Sequence, residues 1–552
     1  MQEQDGAADA DAGGTSDRTD NADRTGGRTG GADSGSFSRR SVLKTGAMAA
    51  GGLVFGTGVA SANTDSIPSR LRDEFDRVIN VVDAGADDSG SESINDVLDS
   101  LRRREELQNG TLLYFPPGRY YMDRKFRMTG FEHFGMYGND ATIVPADYYD
   151  NEDDQHKLFR LGVSYNPGKR LVVENFTVDQ TADITGVRSF EAAVSDRLEV
   201  RDVDVVGRHD SGAWGPARFV LTDSDGTGLV ERFTARGGGA YTPNAPHDKL
   251  WRGPSGLICN TYNEGQMTFR DCELGGFPDN GLYVAGSNGQ IRVEGGTYKN
   301  SNGANVRLGG PDSYVVGADV VVDKRWSETS SQRGIRVEKS NNITVKNNRV
   351  RIATDTPNSH GLSIQSDVDR VWVQDTSIVM DSPTFNHAVC VAPRAGDVTF
   401  YKTDVELNTP GGSAFYIEGE GTDDEHAMLA QVDITGDAGH KWNRAAIYNQ
   451  RDNVEFRVVS VDQIGGEKRR ALENFGDNCM VYMCEFRTPW YPFIDTASGT
   501  WVEENSFAPT TDMEGVRLTD TTDGVYLKRN VIGNGIRDEG CSGLRTLENT
   551  IE

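Results

Sequence analysis

Gly256-Leu257-Ile258-Cys259, Gly281-Leu282-Tyr283-Val284 and Asn305-Val306-Arg307-Leu308 repeat one pattern: a small residue, then apolar, any, apolar. It returns as Gly334-Ile335-Arg336-Val337, Gly361-Leu362-Ser363-Ile364, Ala388-Val389-Cys390-Val391 and Ala414-Phe415-Tyr416-Ile417, with weaker copies from Ala446, Ala471 and Gly515. Successive copies are 25, 24, 29, 27, 27 and 26 residues apart. A fixed period of this size marks a solenoid, in which no repeat buries its apolar face until a neighbour stacks on it. Further strands fall inside the period, such as Ile291-Arg292-Val293, Ile343-Thr344-Val345 and Val371-Trp372-Val373. Side chains alternate across a strand, so the flanking apolar residues face inward and the middle residue faces solvent. The expected fold is all-β, a single right-handed parallel β-helix whose inward residues form continuous apolar ladders.

Upstream of the repeats the pattern changes. Residues 67–78 and 91–107 carry helical spacing; Ile94, Val97, Leu98 and Leu101 share one face of the second. A solenoid needs its open first coil covered, because a bare sheet edge invites pairing with other chains. The second helix suits that role. Around it stand Val81-Val82-Asp83-Ala84-Gly85-Ala86-Asp87-Asp88 and Leu112-Leu113-Tyr114-Phe115-Pro116-Pro117-Gly118-Arg119-Tyr120-Tyr121. This arrangement resembles the entry segment of the pectate-lyase superfamily, in the form found in its rhamnogalacturonase/epimerase-like and phage-tailspike branches. The resemblance implies a parallel β-helix and carbohydrate-directed activity. One fold of this kind hosts many chemistries, so the reaction has to be read from the site.

The first 37 residues are Gly, Asp, Thr, Ser and Arg with almost no apolar side chains, and are expected to be disordered. Ser38-Arg39-Arg40-Ser41-Val42-Leu43-Lys44, a short Gly/Ala-rich apolar stretch and Ala60-Ser61-Ala62 resemble a twin-arginine export signal over 38–62. The expected organisation is a cap and first coil over 63–121 and a β-helix over 122–552. The implied location is secreted or cell-surface, with no integral membrane segment after signal removal, since the apolar stretch is too short to span a bilayer.

The chain of 552 residues carries a net charge of −27, which argues against nucleic acid as a partner. Of its 57 basic residues 13 are Lys and 44 are Arg. An acidic, Lys-poor surface suits a high-salt, haloarchaeal-type environment, where screening reduces self-repulsion. The six cysteines include no C-x-x-C pair and read mainly as buried apolar residues.

Against this acidity the register places a cationic face. The outward column should read Tyr283, Arg307, Arg336, Ser363, Cys390, Tyr416. Beside it the residue preceding each repeat gives Asn280, Ala304, Arg333, His360, His387, Ser413. Stacked cations repel unless an anion balances them. One reading has Glu338 and loop carboxylates such as Asp312 pairing the arginines. The other has an acidic polysaccharide as the partner. In that second reading Arg307 and Arg336 hold a sugar carboxylate, His360 or His387 abstracts the proton beside it, and Tyr283 donates to the leaving oxygen. Arg333, Asn280 and Asn305 line the groove, and Tyr416 and Trp326 are sugar platforms. A hydrolase would instead need paired carboxylates, for which Asp279 and Asp312 are available. The non-catalytic alternative is a carbohydrate-binding or structural surface rod.

Two signals are weaker. Asp223-Ser224-Asp225-Gly226-Thr227-Gly228 has the oxygen donors of a calcium turn, making Ca2+ the one cofactor suggested, although such turns arise readily in an Asp-rich chain. Pro246-His247-Asp248-Lys249 loosely matches the D-P-H-E motif of alginate epimerases.

Overall fold

The computed structural model describes residues 66–552 except 105, 108, 153–155, 248–249, 251, 327–330, 420–425 and 440–444. The expected disordered stretch 1–37 and the export signal with Arg39 and Arg40 lie outside the described residues.

Residues 66–552 fold as a right-handed parallel β-helix. Each coil contributes three strands, as in Val306–Leu308, Ser313–Val316 and Asp319–Val322, and each strand pairs in parallel with its counterpart one coil on: Arg333–Val337, Ile343–Lys346 and Arg349–Ile352. Three parallel sheets therefore run along the axis. The first holds Val306–Leu308, the second Ser313–Val316 and the third Asp319–Val322. Leu308 lies opposite Val337 and Val337 opposite Ile364, so the inward ladder of the first sheet has the register the repeat requires. These residues are fully buried, and the interior forms one apolar cluster from Ile79 to Ile532. Burial of about 1.5–3 kcal/mol per large apolar side chain dominates the stability of such a ladder.

The second sheet turns into the third through one left-handed residue per coil, such as Asn347 (φ 54), Asp375 (φ 47) and Lys402 (φ 51). Asn and Asp tolerate this region best, which accounts for the Asn-rich corners. After Asn347 the buried Asn348 accepts the Ala318 N–H at 2.9 Å and donates to the Val315 carbonyl at 3.1 Å. The corner thus satisfies backbone groups that would otherwise be buried unpaired.

The helical segments are shorter than their periodicity suggests. The first is Ser69–Glu74, and Arg77–Asn80 is already a strand paired with Thr111–Tyr114. The ladder's need for a partner overrides local helix propensity there. The second is Asn95–Arg103; Ile94, Leu98 and Leu101 enter the internal core as its lid, and Val97 is only partly buried. The first helix instead lies outside the second sheet, with Leu71 against Phe75, Leu112, Tyr114, Tyr137 and Val172. Among the described residues no helix is long and apolar enough to cross a membrane. All six cysteines are free; Cys259, Cys272, Cys479 and Cys484 are buried.

One polar ladder interrupts the apolar interior near the C-terminal coils. Asn449 donates to Asn474 at 2.8 Å, and Asn474 donates to Asp495 Oδ1 at 2.9 Å. Asp495 is fully buried, its Oδ2 has no hydrogen-bond partner among the described residues, and burial pushes its carboxyl up to about 6. A carboxyl raised on folding contributes fully below its unfolded value near 3.8, and that contribution is lost as pH rises through about 6. Asp495→Asn should therefore raise the urea midpoint at pH 8, by the equivalent of about 2 kcal/mol, and leave it nearly unchanged at pH 4. Equal midpoints at pH 8 would show that the carboxylate is accommodated.

Candidate functional site

The middle residues of the first sheet form the outward column the repeat demands. Tyr283 lies opposite Arg307, Arg307 opposite Arg336, Arg336 opposite Ser363, Ser363 opposite Cys390 and Cys390 opposite Tyr416. Arg333 lies opposite His360 in the neighbouring column. Rungs are about 4.8 Å apart, so these side chains share one strip of surface.

At its centre the two arginine forks converge on one carboxylate. Arg307 Nε donates to Glu338 Oε1 at 2.8 Å, and Arg336 Nε lies 2.6 Å from Glu338 Oε2. The Glu338 side chain is only 2 % exposed, against 13 % for Arg307 and 20 % for Arg336. The reading in which Glu338 pairs these arginines is therefore met by the geometry. A sugar carboxylate would meet a guanidinium pair whose positions Glu338 already fixes. Arg307 also lies over the Tyr283 ring, 4.7 Å from its centroid.

Asp279 stands beside this trio. It accepts a 2.7 Å hydrogen bond from the Ser255 hydroxyl. Burial raises its carboxyl above the ordinary range, while Ser255 and the Arg307 charge pull the other way. A carboxyl whose affinity for its proton is raised by burial in this manner is the kind of group that general-acid chemistry uses. Asp312 is not its partner: it lies beyond the exit of Val306–Leu308, in the turn before Ser313–Val316, and accepts from Asn342 at 3.1 Å. The Asp279–Asp312 pair that hydrolysis would use does not form, because Asp279 precedes Leu282–Tyr283 and Asp312 follows Val306–Leu308, at opposite edges of the first sheet.

The histidines are differentiated by their hydrogen bonds. The Ser413 N–H donates to His387 Nδ1 at 3.0 Å, so the neutral ring carries its proton on Nε2. His360 Nδ1 faces the His387 carbonyl at 3.3 Å and acts as donor, which leaves a lone pair on Nε2. Burial, with the Arg333 charge second, pushes the His360 imidazole down to about 3, so it is neutral near pH 7. The two rings are stacked with centroids 6.1 Å apart. One thus offers an acceptor and the other a donor. Cys390 Sγ lies 3.3 Å from His360 Nδ1, but burial pushes its thiol well up and keeps it protonated. C-terminal to the histidines the rings continue as Tyr416, 4.6 Å from His387, and Tyr448, 5.3 Å further. These rings stack on one another along the axis, so Tyr416 meets His387 on one side and Tyr448 on the other.

Two other expectations are corrected, Asn280 with Asn305 as groove residues and Trp326 as a sugar platform. Asn280 and Asn305 are buried at 1 % and 0 % exposure, and do not line the groove. Asn305 spends its amide on the Ser301 N–H and the Arg333 carbonyl, because its position at the strand entry leaves backbone groups to satisfy. Trp326 is at a corner, tilted against Tyr241 and donating to the Asn300 carbonyl at 2.6 Å. In the Asp223 loop, Asp223 accepts the Asp225 N–H at 3.0 Å as an ordinary turn, and no metal-holding group of three or more His, Cys, Asp or Glu occurs among the described residues. Of Pro246-His247-Asp248-Lys249, the last two lie outside the described residues; His247 Nδ1 is 3.4 Å from the Tyr148 hydroxyl.

The sequence reading missed the N-terminal continuation of the same column. Arg127 lies opposite Arg160, Arg160 opposite Glu191, Glu191 opposite Arg218 and Arg218 opposite Ile258. The signal was present in Phe126-Arg127-Met128 and Phe159-Arg160-Leu161, but the coils before Leu257 differ in length and hide the period.

No family model matches this sequence, and no curated protein matches it. Among solved structures, the tailspike protein of E. coli bacteriophage HK620 is 10% identical, with 87% of this chain and 81% of that one covered and a TM-score of 0.45. The Streptococcus pneumoniae surface protein and adhesin PfbA is 11% identical, covering 86% and 99%, with a TM-score of 0.34. The catalytic unit of a GH87 alpha-1,3-glucanase from Streptomyces thermodiastaticus is 10% identical, covering 86% and 68%, with a TM-score of 0.27. The parallel register of the strands, and not these likenesses, establishes the fold.

Proposed function

We propose that this chain is an extracellular protein that binds an extended acidic polysaccharide along its first sheet and cleaves it there, as a lyase or a glycoside hydrolase. The observation that carries the reading is the in-register gathering of Arg307, Arg333, Arg336, His360 and His387 on one strip of a chain whose net charge is −27. Three guanidinium groups on so acidic a surface give an anionic polymer a local partner, and fixed forks bind carboxylates with geometric selectivity.

In the lyase form the arginine pair neutralises the sugar carboxylate, which acidifies the adjacent carbon. His360 Nε2 takes that proton, and the His387 Nε2–H or the Tyr283 hydroxyl supplies one to the departing oxygen. A hydrolase form would use Asp279 as proton donor, and Asp312 is not placed to be its second carboxylate, so the lyase form is the better supported. The pairing of Arg307 and Arg336 with Glu338, which leaves the trio only one net positive charge, favours a second reading, a surface rod that binds glycan without turnover.

Incubation of the secreted form in high salt with polygalacturonate, alginate and glucuronan separates these. The ultraviolet absorbance of unsaturated uronides is expected if elimination occurs, and new reducing ends without it if hydrolysis does. Retained binding with neither product would leave the rod. An absence of binding to all three would remove the acidic-glycan reading.

A further inference from the structure

The N-terminal part of the first-sheet face holds a second cluster of cations. Around Glu191, which is 9 % exposed, lie Lys157 Nζ at 3.0 Å, Arg160 Nε at 3.1 Å and Arg188 Nη1 at 2.5 Å. Arg188 is buried, donates by Nε to the Gly215 carbonyl at 3.1 Å and packs 5.4 Å from the centre of the Trp214 ring. Its Nη2 is buried with no hydrogen-bond partner among the described residues. An unused donor on a buried guanidinium is costly unless some acceptor meets it. Burial, with the neighbouring arginines further down the order of causes, pushes the Lys157 ammonium down to about 8 even though Glu191 is beside it. One rung on, Arg218 is half-buried, donates to the Thr261 carbonyl at 3.1 Å and lies over Tyr262.

This cluster and the central site belong to one column. Arg160, Glu191, Arg218, Ile258, Tyr283, Arg307 and Arg336 are successive rungs. The six rung spacings amount to about 29 Å, and Arg218 stands about 14 Å from Arg307. A pyranose unit is close to one rung in length, so an extended uronide of about six residues lying along the axis reaches from one cluster to the other.

We propose that Arg188, Arg218 and Arg160, organised by Glu191, form a second anion-binding site for the carboxylate or sulfate groups of the same polymer, so that the natural ligand spans both clusters. This rests on the reading of the first sheet as a glycan groove. Glu191 repels an anion, and its role here is to orient the cations around it. Ile258 and Tyr283 form the uncharged stretch between the two sites, over which the polymer needs no anionic group.

The test uses oligouronides of two and of eight residues, cut from whichever of the three polymers binds, titrated calorimetrically against the whole secreted chain. Wild type should bind the longer oligomer far more tightly than the shorter. Arg218→Gln should weaken the long oligomer about tenfold, the loss of one charge-assisted hydrogen bond, and leave the short one unchanged. It should also make long-oligomer binding less sensitive to salt. The unchanged urea midpoint expected of Arg218→Gln shows that folding is intact; Arg218→Lys, which keeps the charge, should restore most of the affinity and is the second check. Long-oligomer affinity that is untouched in Arg218→Gln and in Arg160→Gln, with binding intact and still lowered by Arg336→Gln, would overturn the second site alone. Failure of the wild type to bind any uronide would instead overturn the groove itself.

Discussion

Replacing Glu338 by Gln lowers the stability of the central coils by about 3–5 kcal/mol, the cost of removing one partner from a buried ion pair. The carboxylate is 2 % exposed and meets guanidinium groups from two successive rungs. Gln matches its size and keeps one acceptor, so the loss isolates charge from packing. Arg307 and Arg336 would then repel across one rung spacing in a site with little water to screen them. Because a solenoid is held by nearest-neighbour interfaces, the damage should be local. The expected result is an early urea transition, or amide exchange accelerated in Val306–Leu308 and Arg333–Val337 and not in the terminal coils. Replacing Arg307, Arg336 and Glu338 together by apolar residues of similar volume should recover most of the stability. Wild-type exchange rates in Glu338→Gln would mean that solvent already supports the two arginines.

On the proposed lyase reading, replacing His360 by Gln is expected to lower kcat on an acidic glycan about 100- to 10,000-fold, the span of a lost general base, with KM little changed. His360 is singled out over His387 because its Nδ1 is the donor to a carbonyl, so its Nε2 holds the lone pair. In the free protein burial and Arg333 hold this imidazole down to about 3. A folded value below the unfolded one keeps the neutral base available at every pH above about 3. A bound uronide carboxylate offsets Arg333 and should make the ring more basic in the complex. The acidic limb of kcat is therefore expected at a higher pH than that of kcat/KM. Coincident limbs, or a His360→Gln variant of full activity, would exclude this ring as the base.

The architecture was readable because its cause is written locally. A small residue followed by alternating apolar positions, repeated every two dozen or so residues, leaves few ways to bury both faces of a coil, and the Leu308–Val337–Ile364 ladder follows from counting. The columns of outward residues came from the same count. Counting failed where coils vary: the steps from Phe126 to Phe159, Phe190, Ala217 and Leu257 are 33, 31, 27 and 40 residues, and the Arg160–Glu191–Arg218 cluster went unread.

Where the coils keep their length, sequence by itself thus determined which residues are stacked, since register there is a one-dimensional property of the chain. Only the tertiary structure decided what the stacked residues do to one another. It set Glu338 between two arginines, buried Asn280 and Asn305, gave His360 and His387 opposite tautomers, and parted Asp279 from Asp312 across the width of a sheet. Such outcomes depend on the direction of each side chain and on how much water reaches it, and both are fixed by neighbours one coil above and below.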